Sequence, residues 1–152
     1  MKVREVMTAP AVCAAPDVPP AVVAGRMAGH APGSVLAVAD GRPRGIVTDR
    51  DLAVRGPGGG PCTRAPVHAV MSPHTVTAGA GDDLEVAYRA FRRTGVRRLP
   101  VPDAGRPVGV LTIDGLFLDV FRHLADLLGP VATGILRQAP RPSSPPGAPD
   151  DA

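Results

Sequence analysis

The chain has 152 residues, 17 of them basic and 14 acidic, with a formal charge of +3 and a 44% apolar share. That length fits one domain or one packed repeat pair with a real core. The charge excess is small and its basic residues come in short pairs such as Arg92-Arg93 and Arg97-Arg98, so nucleic-acid binding is not expected.

Other classes fall on patterning. No run reaches the roughly 18 apolar residues that span a bilayer. The opening MKVREVMTAP lacks the apolar stretch of a signal peptide. A soluble, cytoplasmic protein without a membrane partner is expected. Cys13 and Cys62 form no CxxC pair and read as reduced thiols. His30, His68, His74 and His123 share no ligand spacing, so no metal site is expected. With no Trp, one Tyr and three Phe, the core must be built from Val, Leu, Ala and Met.

The elements follow in chain order. VREVMT opens as a short turn, and Ala11 to Ala14 is β-prone. A helix follows, with Asp17 as its candidate cap, Pro19 and Pro20 near its first turn, and Val22, Val23 and Met27 as its apolar stripe. Val35–Val38 and Arg44–Val47 flank Asp40-Gly41, a strong hairpin signal. A last helix starts near Asp49. The Gly/Pro-rich stretch 56–65 reads as a connecting surface loop.

The whole succession then returns 64 residues on. Val3, Val6, Met7, Val12, Ala14 and Val22 fall on Val67, Val70, Met71, Val76, Ala78 and Val86. Gly41-Arg42-Pro43, Gly45, Thr48 and Leu52 fall on Gly105-Arg106-Pro107, Gly109, Thr112 and Leu116. No gap is needed, so residues 2–55 and 66–120 are two copies of one unit. In the second copy Asp82 or Asp83 caps a helix whose Leu84, Ala87, Tyr88 and Phe91 face inward. Arg98–Val101, a turn at Ala104-Gly105, and Val108–Leu111 form its hairpin, and its last helix starts near Ile113. One copy is too small to bury both faces of its sheet, so the two are expected to pack about a pseudo-twofold axis with a cleft between them.

Beyond the copies, GLFLDVFRHLADLL (115–128) carries Phe117, Val120, Phe121, Leu124 and Leu128 at helical spacing. This extension, 121–137, reads as a homodimer interface, the rival being a cap on the module's own core. Residues 138–152 are Pro-rich and polar and read as a disordered tail.

VREVMT and VHAVMS, RRLPV, and GIVTDRDL, in this order and at a constant offset, resemble the CBS domain, named after cystathionine β-synthase. The chain is similar to a tandem pair, or Bateman module, of the stand-alone bacterial type. The resemblance covers residues 2 to about 120. It implies an α+β fold, β-α-β-β-α per repeat. It also implies an adenosine-based ligand in the inter-repeat cleft, dimerisation, and regulation of a partner protein.

The residues of GIVTDRDL fit a nucleotide. Gly45 lets backbone approach a ligand, and Thr48 ends a strand at the mouth of a helix. Asp51, three residues on, can accept both hydroxyls of a ribose. The helix N-terminus favours phosphate, and Arg50 can reach one. The same residues also fit plain capping, with Thr48 as N-cap and Asp51 at the third helical position. In the second copy Asp51 falls on Gly115 and the acid is Asp114, one step and about 100° around the helix. One good site and one degraded site are expected. The resemblance further implies that Thr75, Val76 and Thr77, with the strand Arg97-Arg98-Leu99-Pro100, line the Thr48/Asp51 cleft. Arginines there suit a phosphate-bearing ligand, while strand alternation turns one of the two to solvent.

The expected function is therefore a sensor of AMP, ADP or ATP, with S-adenosylmethionine or NAD as other ligands, acting on an unidentified effector protein. The alternative is a dimerisation scaffold with a vestigial site. No nucleophile elbow or paired carboxylates suggest catalysis, and no cofactor is required.

Overall fold

The computed structural model describes residues 1–30, 33–55, 65–73 and 76–138, and all statements below concern these. Most of the predicted connector, the predicted tail from 139, His74 and Thr75 lie outside them. Met1–Leu118 form one compact unit that contains both repeats, and the chain from Asp119 forms a second.

The first repeat runs β1 (Cys13–Ala14), α1 (Pro20–His30), β2 (Ser34–Ala39), β3 (Arg42–Thr48) and α2 (Asp49–Arg55). The second is entered by α3 (Val67–Val70) and β4 (Ser72–Pro73), then runs α4 (Leu84–Thr94), β5 (Arg98–Asp103), β6 (Arg106–Thr112) and α5 (Ile113–Gln138). The fold is mixed α+β, as expected.

The two hairpins are superimposable in register. β2 pairs antiparallel with β3 and β5 with β6, and each pair slips once, at Ala37/Val38 and at Val101/Pro102. The turns also match. Asp40 and Gly41 have φ of 53° and 71°, and Ala104 and Gly105 have 47° and 81°. Two consecutive positive φ values make the turn whose twist suits paired strands.

One difference has a simple cause. β1 lies parallel to β2, and Leu36 donates its N–H to the Val12 carbonyl at 2.8 Å. The residue 64 positions on is Pro100, which has no N–H to donate to Val76. Among the described residues, the second repeat instead bonds Ala78 N–H to the Pro100 carbonyl at 3.3 Å and Ala80 N–H to the Pro102 carbonyl at 3.0 Å.

The opening segments are exchanged between repeats. Val3, in a 3-10 turn over Val3–Glu5, is fully buried in a core with Ala87, Phe91, Leu99, Val101 and Leu111 of the second repeat. Val67 is equally buried with Val23, Val35, Ala37 and Val47 of the first. The backbone follows suit. Thr8 and Val110 exchange N–H···O bonds of 2.9 and 3.0 Å, and β4 pairs with β3, Gly45 opposite Pro73. Lys2 meets Asp83 at 2.8 Å, and that ammonium holds the Asp83 carboxyl below its ordinary range. Neither repeat has a complete core without the other's first residues.

α4 shows how far periodicity carries. Leu84, Ala87 and Phe91 are buried at the expected spacing, but Tyr88 is exposed. Its body sits beyond the edge of the stripe, where a phenol ring tolerates water. Asp83 occupies the N-cap position without a side-chain cap bond, because it pairs with Lys2. Asp82 instead accepts the Gly79 N–H at 2.7 Å. Gly95, left-handed at φ 69°, ends the helix by donating to the Phe91 carbonyl at 2.9 Å. In α1 the stripe narrows to fully buried Val23 and half-buried Met27, while Val22 is exposed.

α5 starts where expected but continues unbroken to Gln138, with Pro130 inside it. Leu116 is buried and Phe117 and Leu118 are exposed. Within the second unit, Val120, Phe121, Leu124, Leu127, Leu128 and Val131 are exposed, Phe121 by 64%. The apolar stripe recurs along α5 at the expected helical spacing. Among the described residues, no helix is long and apolar enough to cross a membrane.

Candidate functional site

β3 ends at Thr48 and α2 begins at Asp49. The junction is tied by one carboxylate. Thr48 donates both its N–H and its hydroxyl to Asp51 Oδ2, each at 2.9 Å, and Asp51 N–H donates back to Thr48 Oγ1 at 3.2 Å. This is a reciprocal cap of the helix start. Asp49 and Asp51 also place negative charge in the first turn, where the helix dipole favours it. Both bonds from Thr48 land on Oδ2. The capping reading of Asp51 is thus satisfied, and its second oxygen, Oδ1, is not part of that cap.

The second repeat keeps half of the arrangement. Thr112 Oγ1 accepts the Gly115 N–H at 2.9 Å. With no side chain at 115 there is no carboxylate to complete it. Asp114 turns to Arg97, 3.2 Å away, in a pair whose side chains are both about seven-tenths exposed. Such a pair contributes little to stability.

Two cavities lie between the repeats. The first, of about 230 Å³, is lined by Ile46 and Thr48 of the first repeat and by Ser72, Val76, Arg97 and Arg98 of the second. The other, of about 260 Å³, is lined by Thr8, Val12, Ser34, Val110, Thr112, Asp114 and again Arg98. Five of these positions match at the 64-residue offset: Thr8 with Ser72, Val12 with Val76, Ser34 with Arg98, Ile46 with Val110, and Thr48 with Thr112. The cavities are therefore the same cleft built twice, each from both repeats.

Among the sequence-predicted residues, Thr48, Val76, Arg97 and Arg98 come together in the first cavity. The others are placed differently. Gly45 is not open to a ligand. A Cβ there would lie 2.5 Å from Met71 Sδ and 2.8 Å from the Ser72 carbonyl, so the glycine makes room for the exchanged segment. Gly109 does the same for Met7 and Thr8, at 2.6 and 2.8 Å. Pro100 is fully buried in β5 and is no part of the cavity wall. Thr77 does not line the inter-repeat cavity; with Val76 it borders an outer groove against Arg89, Arg92 and Arg93 of α4. Arg50 is exposed, and its N–H is held by Asp49 Oδ1 at 2.9 Å. Asp51 is half-buried behind Thr48 and does not line the cavity. Thr75 lies outside the described residues.

Both arginines border the first cavity, and Arg97 is the solvent-facing one of the two, its side chain 71% exposed and engaged by Asp114. Sequence reasoning missed Ser72, Thr8 and Ser34 as cleft residues. The offset that matches Thr8 with Ser72 was a usable signal. Burial pushes the Cys13 thiol pKa up, against the weaker pull of Arg26. Among the described residues, no group of three or more His, Cys, Asp or Glu side chains is placed to hold a metal ion.

A family model, that of the CBS domain, matches residues 3–56 and 67–120, the two copies found by self-comparison. The chain is 31% identical over 114 residues to the CBS domain-containing protein YhcV of Bacillus subtilis (strain 168), covering 75% of this chain and 81% of that one. Among solved structures it is similar to the CBS-domain containing protein ATU1752 from Agrobacterium tumefaciens. There the identity is 26%, the TM-score 0.65, and the coverage 78% of this chain and 98% of the other. It is also similar to the CBS domain protein PAE2072 from Pyrobaculum aerophilum, solved in complex with AMP. That match has 25% identity and a TM-score of 0.65, and covers 76% of this chain and 90% of that one.

Proposed function

This chain belongs to the CBS-domain family, and on that premise we propose that it is a non-catalytic, cytoplasmic sensor that binds an adenine nucleotide and acts on a partner protein. One observation carries the reading. A cleft built by both repeats gathers the Thr48 hydroxyl from one and the Arg97 and Arg98 guanidinium groups from the other. With its own proton on Asp51, the Thr48 oxygen can still accept from a sugar hydroxyl, and the guanidinium groups donate to a phosphate, so the set suits a sugar phosphate. The AMP complex of the Pyrobaculum relative supports the ligand class. Because the cleft is bounded by both repeats, a bound nucleotide touches both and favours the arrangement that holds it best. At about 230 Å³ the cavity falls just below the usual 300–1,000 Å³ of small-molecule sites. Binding is therefore expected to spread its walls.

Titration calorimetry with adenosine, AMP, ADP, ATP, S-adenosylmethionine and NAD tests this. Saturable heat with the phosphate-bearing adenine nucleotides is expected. Silence with the whole panel would overturn the sensor reading and leave the scaffold. The engagement of Asp51 Oδ2 by Thr48 is the observation on the scaffold's side.

The same proposal includes a homodimer formed through the exposed apolar stripe of α5. Placing Phe121→Asp in that stripe should shift sedimentation from dimer to monomer, while the melting temperature changes little, since Phe121 is 64% exposed. A wild-type protein that sediments as a pure monomer at micromolar concentration would refute it.

A further inference from the structure

Among the described residues, Arg98 alone lines both clefts. It stands at the start of β5, and its Nη2 lies 3.5 Å from where a Cβ on Gly33, beside the start of β2, would sit. The side chain therefore reaches from the second repeat to the first. Its Nε is buried, and among the described residues nothing accepts its proton. A buried donor without an acceptor is costly, and its cost is relieved by any ligand that brings one.

The repeat mate of Arg98 is Ser34, buried and uncharged. The pseudo-twofold pair thus owns a single guanidinium at this level, not two. Arg97, the nearest other cation in the first cleft, is partly spent on Asp114. We propose that Arg98 is one phosphate clamp shared by two clefts, so that a phosphate held in one withdraws it from the other. This rests on the nucleotide reading above and deepens it. A guanidinium presents its donors in a fixed fork that fits one phosphate at a time. The clefts also differ in sign. The second contains the Asp114 carboxylate and the first does not. Arg98 thus serves the Thr48 cleft first, and a second phosphate meets a carboxylate without a free arginine. An uncharged nucleoside makes no demand on Arg98 and fills either cleft without this competition.

Calorimetry with AMP and with adenosine on wild type, Arg98→Ala and Arg98→Lys tests the sharing. Wild type should bind one AMP per chain, with any second equivalent at least about tenfold weaker. Arg98→Ala should lose about tenfold or more in AMP affinity and far less in adenosine affinity, since only AMP brings a phosphate. Arg98→Lys, which keeps the charge and loses the fork, should fall between. Two equal, independent AMP sites in wild type would overturn the sharing while leaving the nucleotide reading intact. So would an Arg98→Ala protein that binds AMP at full strength. No binding of either probe to wild type would sink both. Should Arg98→Ala fail to fold, the wild-type stoichiometry and Arg98→Lys still decide.

Discussion

Gly45→Ala should cost about 1–3 kcal/mol of stability, and Gly109→Ala a similar amount, by overpacking. The added Cβ would lie 2.5 Å from Met71 Sδ and 2.8 Å from the Ser72 carbonyl in one case, and 2.6 Å from Met7 Sδ and 2.8 Å from the Thr8 carbonyl in the other. The methionine tip can turn away. The carbonyl cannot, because it belongs to backbone paired with the same strand: β4 with β3, and Thr8 with Val110. Relief therefore requires the exchanged segment to lift off. Lifting it exposes Val67 or Val3, each fully buried, and burying a side chain of that kind stabilises by roughly 1.5–3 kcal/mol. Denaturant midpoints check this, with a fall in melting temperature of roughly 2–12 °C for a domain of this size. If these glycines served ligand approach instead, the alanine variants would unfold with the wild-type midpoint and lose only binding.

Asp51→Ala should act twice. Asp51 does not line the cavity but holds the hydroxyl of Thr48, which does, so its loss frees that hydroxyl to turn, with an expected loss of about tenfold in nucleotide affinity. It also removes Oδ2 from the Thr48 N–H and hydroxyl, both 2.9 Å away, so the start of α2 loses its cap. Loss of such a cap costs about 0.5–2 kcal/mol. The two effects separate cleanly when calorimetry is run well below the variant's melting temperature. A variant that is less stable but binds at full strength would show that Asp51 is a cap and nothing more.

Local chemistry made much of the molecule legible. The 64-residue repeat, both hairpins with their Asp40-Gly41 and Ala104-Gly105 turns, and the helix starts after Thr48 and Thr112 stand where the sequence puts them. The hairpins, their turns and the helix starts depend on residues at most a few positions apart, where turn preference, capping and periodicity act directly. The family also followed from sequence, because ordered motifs repeated at one offset leave few alternatives. Tyr88 failed at the margin, since a stripe has no sharp edge until its neighbours are in place.

The exchange of opening segments belongs to the tertiary structure alone. Val3 and Val67 are the same residue in the same local pattern, as are Gly45 and Gly109, so Met7 and Met71 fit either notch equally well. A sequence with two matching keys and two matching locks does not say which key enters which. Only the packed chain decides, by placing Val3 among Phe91, Leu99 and Leu111 and Val67 among Val23, Val35 and Val47. Arg98 is a second case. Its place in an alternating strand fixes that it faces one side, but that this side is shared by two clefts depends on Gly33, 65 residues earlier, lying against its guanidinium. Contacts at that separation are set by how the two repeats pack, and no local rule encodes them.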